Sequence, residues 1–155
     1  MSGRRVASLA DLALLVGQRL GPSEWLDVTQ EMVNTFAKAT LDQQWVHTDP
    51  IRAAAGPYGR TIAHGHLVLS LGPHFMRELL DMTPLRAAIF YGAEHIRFPA
   101  PMPVGERIRM RLHVKRIDPV PGAARVTMEF TFERVDEERP VCVAEIISQF
   151  VFAGS

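Results

Sequence analysis

The segment from His64 to Met82 carries Leu67, Val68, Leu69, Leu71, Phe75, Met76, Leu79 and Leu80, which on a helical wheel cover almost every side until the last turns. A helix of that kind has no face to give to water and must be enclosed by the rest of the chain. Pro73 follows Gly72 inside it, and because proline removes a backbone donor and clashes with the preceding turn, it is predicted to kink or divide the helix, with a bend there. What encloses the helix follows from a change of period downstream. From Ala88 onward the pattern is that of strands: Ile108, Met110, Leu112 and Val114 alternate with Arg109, Arg111, His113 and Lys115, and Val126, Met128, Phe130 and Phe132 alternate with Thr127, Glu129, Thr131 and Glu133. A period of two marks a strand with one buried face. Residues 141–152 are apolar on both parities over much of their length, which predicts a more central strand or one covered on both faces. Pro119, Pro121 and Gly122, and then residues 136–140, mark the turns.

The first half reads as helices with identifiable ends. Ser8 and Asp11 form a capping-box start for a stripe of Leu9, Leu12, Leu15 and Val16 that Gly17 stops. Thr29 caps a second helix that buries Met32, Val33, Phe36 and Ala37 and ends near Asp42. Asp49 before Pro50 is an N-cap with proline at the first helical position, a geometry that accounts for Asp49 fully. Helices followed by long antiparallel strands define an α+β domain in which a curved sheet wraps the apolar helix. At 155 residues the chain suits one domain, taken as 1–155.

Composition removes several function classes. Lys and Arg number 17 and Asp and Glu 17, without runs, so there is no basic footprint for a nucleic acid. The single cysteine, Cys142, lies in an apolar segment and reads as a buried hydrophobe. Arg4 and Arg5 precede an apolar stretch from Val6 to Val16, but Asp11 interrupts it and no small-residue cleavage site follows, against a secretion signal. No segment approaches the about 20 apolar residues of a membrane span. The expectation is a cytoplasmic protein. His64 and His66, the closest histidine pair, are two apart and face different ways on a helix, so no metal is expected. No glycine-rich phosphate loop follows a strand, so no nucleotide cofactor is indicated.

The chemistry must therefore come from the irregular segments: Asp42, Gln43, Gln44, Trp45, Val46, His47, Thr48, Asp49 and Pro50, then Thr61, Ile62, Ala63, His64 and Gly65. An aspartate, a histidine five positions on, an acidic residue two beyond and a His-Gly pair opening the apolar helix resemble the MaoC-like family of (R)-specific enoyl-CoA hydratases and dehydratases. Tyr91, Gly92, Ile96, Arg97, Phe98, Pro99, Pro103, Val104 and Gly105 extend the likeness. Two positions depart from it: Leu41 stands where the family has glycine before the aspartate, and Gln44 holds the amide position of the motif.

The resemblance implies a hot-dog fold, a homodimer, and hydration of a trans-2-enoyl thioester or its reverse on one water held by Asp42 and His47. It implies no cofactor beyond the CoA or acyl-carrier thioester that is itself the substrate. Such a reaction needs a base for the water proton and an acid for the α-carbon. Histidine is read as the base and Asp42 as the acid, its pKa raised by burial against neighbours such as Trp45. Gly65, His64 and Gln44 are the expected substrate-binding residues: Gly65 for close approach of the thioester to a backbone N–H, His64 for a contact or for orienting the loop. Two rivals are an acyl-CoA thioesterase on the same fold, which would place a carboxylate on the first half of the apolar helix where there is none, and a non-catalytic acyl-thioester scaffold, which would have lost the Asp/His pair.

Overall fold

The computed structural model describes residues 3–153. In chain order the elements are β1 (Arg4–Arg5), α1 (Leu9–Ala13), β2 (Arg19–Leu20), β3 (Leu26–Asp27), α2 (Gln30–Thr40), α3 (Trp45–Thr48), α4 (Pro50–Ala54), α5 (Gly65–Ser70), α6 (Gly72–Leu79), β4 (Leu80–Asp81), β5 (Leu85–Arg97), β6 (Arg107–Val120), β7 (Ala123–Arg134) and β8 (Cys142–Phe152). Three helix starts follow from short-range side-chain chemistry. Ser8 Oγ accepts from the Asp11 N–H at 3.2 Å while Asp11 Oδ2 accepts from the Ser8 N–H at 3.0 Å, a reciprocal capping box. Thr29 Oγ1 accepts from the Met32 N–H at 3.2 Å, and Asp49 Oδ1 from the Arg52 N–H at 3.0 Å.

Six of the strands form one antiparallel sheet in the order β2-β6-β7-β8-β5, with β3 also paired to β6, and β1 and β4 pair separately. One parity of each long strand turns inward: Ile108, Met110, Leu112 and Val114 on β6, Val126, Met128, Phe130 and Phe132 on β7, and Cys142, Ala144, Ile146 and Phe150 on β8 are all buried. Against this face lie α5 and α6, whose seat is glycine-sized. A Cβ on Gly72 would come within 2.7 Å of the Phe130 ring. Four residues further along α6 from Leu71, Phe75 meets Phe132 edge-on, ring centroids 6.2 Å apart. The expected curved sheet around an apolar helix is thus formed.

The central helix carries the break expected at Pro73. It divides at Leu71, and Pro73 falls in the first turn of α6, where its missing N–H has no intrahelical partner to lose, so proline opens a new segment instead of bending one. It also ends at Leu79, short of Met82. Leu80 and Asp81 pair in parallel with Arg4 and Arg5, and the Val6 N–H donates to the Asp81 carbonyl at 2.9 Å. Leu80 is buried in either geometry, so its hydrophobicity does not discriminate helix from strand.

The last strand is central, as its composition suggests, lying between β7 and β5. It is covered on one face only: Val143, Glu145, Ile147 and Gln149 alternate with the buried residues and are half-covered, and Glu145 meets Lys115 of β6 at 2.6 Å on the outer side. β5 is an edge strand with irregular register, and Ile89, Phe90 and Tyr91 on it are 52, 62 and 54% exposed. Among the described residues no helix is long and apolar enough to cross a membrane.

Candidate active site

The site begins where α2 stops. Leu41 takes the left-handed conformation (φ 64°, ψ 12°) and leaves its side chain 82% exposed. This is the helix-ending geometry that glycine adopts freely and that costs other L-residues about 1–2 kcal/mol. The turn is what delivers Asp42 to the site, which explains physically why the family pattern has glycine at the position that Leu41 fills here.

Asp42 Oδ1 accepts a hydrogen bond from Gln44 Nε2 at 3.1 Å. That bond, reinforced by the Gln44 backbone N–H and by the two nearby histidines, holds the Asp42 carboxyl below the usual carboxylate range against a smaller opposing effect of burial. The expected raised pKa is overturned because Trp45 does not bury the group. Trp45 packs instead beneath the Arg52 guanidinium, 4.6 Å from the ring centroid, and against Gly56, while the Asp42 side chain remains 42% exposed.

His47, on α3, is buried. Its Nδ1 lies 2.7 Å from the Ile62 carbonyl oxygen. A carbonyl only accepts, so Nδ1 carries the hydrogen and Nε2 keeps a free lone pair. Burial pushes the imidazole below its ordinary value; the Ile62 carbonyl opposes this, His64 adds to it and Asp42 opposes it more weakly. The backbone of the same residue is clamped by Gln30, whose Nε2 donates to the His47 carbonyl at 2.7 Å and whose Oε1 accepts from Thr61 Oγ1 at 2.6 Å. Sequence reasoning missed Gln30, and its only local signal is its place in the first turn of a capped helix.

His64 stacks on His47 with ring centroids 3.8 Å apart and planes 25° apart, and its Nε2 donates to the Asp42 backbone carbonyl at 2.9 Å. Asp42, His47 and His64 bring one potential ligand atom each to within 4.8 Å of one another. Both rings already give an N–H to a backbone carbonyl, which leaves the Asp42 carboxylate and His47 Nε2 as the accessible acceptors, together a better pair for holding a water than a donor set for a tetrahedral ion. Gly65 opens α5 where the Phe98 ring lies across it: a Cβ would fall 2.9 Å from Phe98 Cζ. Phe98, which the sequence marks only as part of the family likeness, thus occupies the place a side chain at residue 65 would take, and both residues line the cavity beside the site. Gln44 is exposed and engaged with Asp42.

A cavity of about 400 Å³ opens beside this group, lined by His47, Tyr58, Ile62, Gly65, Val68 and Phe98. A second, mostly apolar one of about 340 Å³ lies between the central helix and the sheet, bounded by Leu69, Met76, Ala88, Phe90, Phe130 and Ile146.

A buried helix wrapped by an antiparallel sheet, with an Asp/His pair at the helix's N-terminal end, defines a hot-dog dehydratase-type scaffold. The family model described as the MaoC-like domain matches residues 11–135, and the chain belongs to that family. It is 44% identical over 149 residues to 3-hydroxyacyl-thioester dehydratase Z of Mycobacterium tuberculosis, covering 96% of this chain and 99% of the other. It is 39% identical over 152 residues to nodulation protein N of Rhizobium leguminosarum bv. viciae, covering 94% and 92%. Among solved structures it resembles the unliganded R-hydratase PhaJ1 of Pseudomonas aeruginosa, with a TM-score of 0.71, 24% identity and coverage of 88% and 82%.

Proposed function

We propose that the protein is a hydro-lyase that interconverts (R)-3-hydroxyacyl and trans-2-enoyl thioesters, with Asp42 and His47 as the pair that handles the water. The observation that carries this reading is the free Nε2 lone pair of a tautomer-locked, neutral-leaning His47 beside the Asp42 carboxylate. The 44% identity to a protein named as a 3-hydroxyacyl-thioester dehydratase supports the reaction class.

In the hydration direction His47 Nε2 takes a proton from water as the oxygen bonds to the β-carbon. The alkene electrons move onto the α-carbon and thioester oxygen, and the imidazolium then returns the proton to the α-carbon. Asp42 enters as a carboxylate, a role that its lowered pKa suits better than that of acid: it accepts the water's second hydrogen and stabilises the imidazolium. Dehydration runs the same steps backwards. Gly65, at the first residue of α5, has an N–H with no intrahelical acceptor, a donor for the charge that builds on the thioester oxygen. The apolar cavity along the central helix suits the acyl chain, and the thioester carrier is CoA or an acyl carrier protein. No other cofactor enters this scheme.

The exposed row of Ile89, Phe90 and Tyr91 on the β5 edge is an association hazard unless paired, and a second copy joined edge to edge would cover it. Phe90→Arg is expected to shift the protein from dimer to monomer in size-exclusion chromatography with light scattering; an unchanged dimer would place the interface elsewhere.

The activity is tested by mixing the purified protein with crotonyl-CoA and following loss of the enoyl-thioester ultraviolet absorbance, with chiral analysis of the product. (R)-3-hydroxybutyryl-CoA is the expected product. Release of free thiol would instead mark a thioesterase, and no turnover at any chain length would leave a binding subunit. The pH profile follows from the same geometry. Because His47 is held low, its basic form persists into mild acid, and kcat/KM falls only as pH drops through a value below about 6.5, the ordinary imidazole pKa. An acid limb above that value would contradict the assignment of His47 as base.

A further inference from the structure

His64 stands at the N-cap of α5 yet makes no side-chain capping bond. Its ring turns away from the helix end and touches three separate segments: Nε2–H donates to the Asp42 carbonyl at 2.9 Å, the ring face stacks on His47 at 3.8 Å, and Phe36 of α2 lies 5.0 Å away. The side chain is only 3% exposed, Nδ1 is buried without a partner, and the residue lines neither of the two cavities beside the central helix. A buried nitrogen left unpaired is a cost that an apolar ring in the same place would avoid. The imidazole's distinctive contribution is therefore the bond it makes to the segment that carries Asp42 while its face sets the plane of His47.

We infer that His64 is a positioning residue that fixes the separation and relative orientation of Asp42 and His47, bonding the backbone of one and stacking on the ring of the other, and does not itself bind substrate. This rests on the Asp42/His47 reading above and deepens it. The two contacts act on different partners, so they can be separated. His64→Phe keeps a ring against His47 and loses the bond to Asp42; His64→Gln keeps a donor and loses the stack. Rate depends steeply on the placement of reacting groups, so each variant is expected to lose about 10–100-fold in kcat on crotonyl-CoA with KM little changed. In His64→Gln the acid limb of kcat/KM also moves to higher pH, because burial and the neighbouring His64 ring both lower His47, and Asp42 and the Ile62 carbonyl, which oppose them, remain; Tyr58 is the other titratable group on the His47 cavity.

The experiment begins with the wild-type chain, by nitrogen-detected NMR of the imidazole rings. His64 is expected as the Nε2–H tautomer and His47 as the Nδ1–H tautomer. Observing His64 with its hydrogen on Nδ1 would overturn the inference without any variant having to fold. Kinetics of the two variants follow. Unchanged kcat in both folded variants, or a raised KM at constant kcat, which would put His64 on the substrate, also overturns it. If the wild type has no activity on enoyl thioesters the proposed reaction fails, while the tautomers still report whether the His64 geometry is correct.

Discussion

Asp42→Asn is expected to lower kcat/KM for crotonyl-CoA by about 10²–10⁴-fold, the usual contribution of a positioned acid–base group. It should do so with little effect on stability. The Asp42 side chain is partly exposed, and the Gln44 side chain donates to Oδ1, an oxygen that asparagine retains. Substitutions of that kind stay within about 0.5 kcal/mol. What asparagine removes is the negative charge that stabilises an imidazolium at His47 and the second acceptor for the water. Steady-state kinetics and a thermal melt on the same preparation separate the two effects. Wild-type turnover in Asp42→Asn would remove the carboxylate from the mechanism, and His47 would have to act with another partner.

Phe132→Ala has the largest expected effect on the fold. Phe132 is wholly buried near the C-terminal end of β7, where its ring meets both Phe75 of α6 and Phe130. Removing it leaves a cavity at the contact between the central helix and the sheet, a type of change that costs about 3–5 kcal/mol. For a chain of this size that corresponds to a fall in Tm on the order of 10 °C. Calorimetry or urea denaturation measures it. A loss below about 1 kcal/mol would mean that the helix is not seated on β7 by these rings, since large-to-small core changes of this kind rarely cost so little.

The parts of this structure that were legible in the sequence are those decided over a few residues or by a regular period. Ser8, Thr29 and Asp49 cap helices because their oxygens reach N–H groups three residues on, and β6 and β7 bury one parity because alternation has one geometric meaning. Asp42, His47 and His64 were legible as a spaced set, and the fold brings them together. What the chain did not disclose depends on contacts across the fold. Nothing local tells that Trp45 prefers Arg52 and Gly56 to Asp42, that Phe98 will cross Gly65, or that Gln30 reaches 17 residues forward to hold His47. The direction of the Asp42 pKa shift was misjudged for the same reason: proximity in sequence to an aromatic residue is not burial by it. Leu80 and Asp81 leave the helical pattern because the N-terminal segment offers them a strand partner more than 70 residues away.

Ile62 ties the site together with two bonds in opposite directions: its N–H donates to the Val46 carbonyl at 3.0 Å, and its carbonyl accepts from His47 Nδ1 at 2.7 Å. β8, by contrast, is laddered to a neighbour along both of its edges. Amide exchange should therefore separate two events, with the Ile62 amide reporting local opening and the β8 amides reporting loss of the whole sheet. Breaking that two-bond rung would free the His47 ring to rotate or change tautomer while every long strand stayed paired. The catalytically competent arrangement then has an opening free energy of its own, smaller than that of the fold, and it is the quantity on which temperature and substitution around Ile62 would act first.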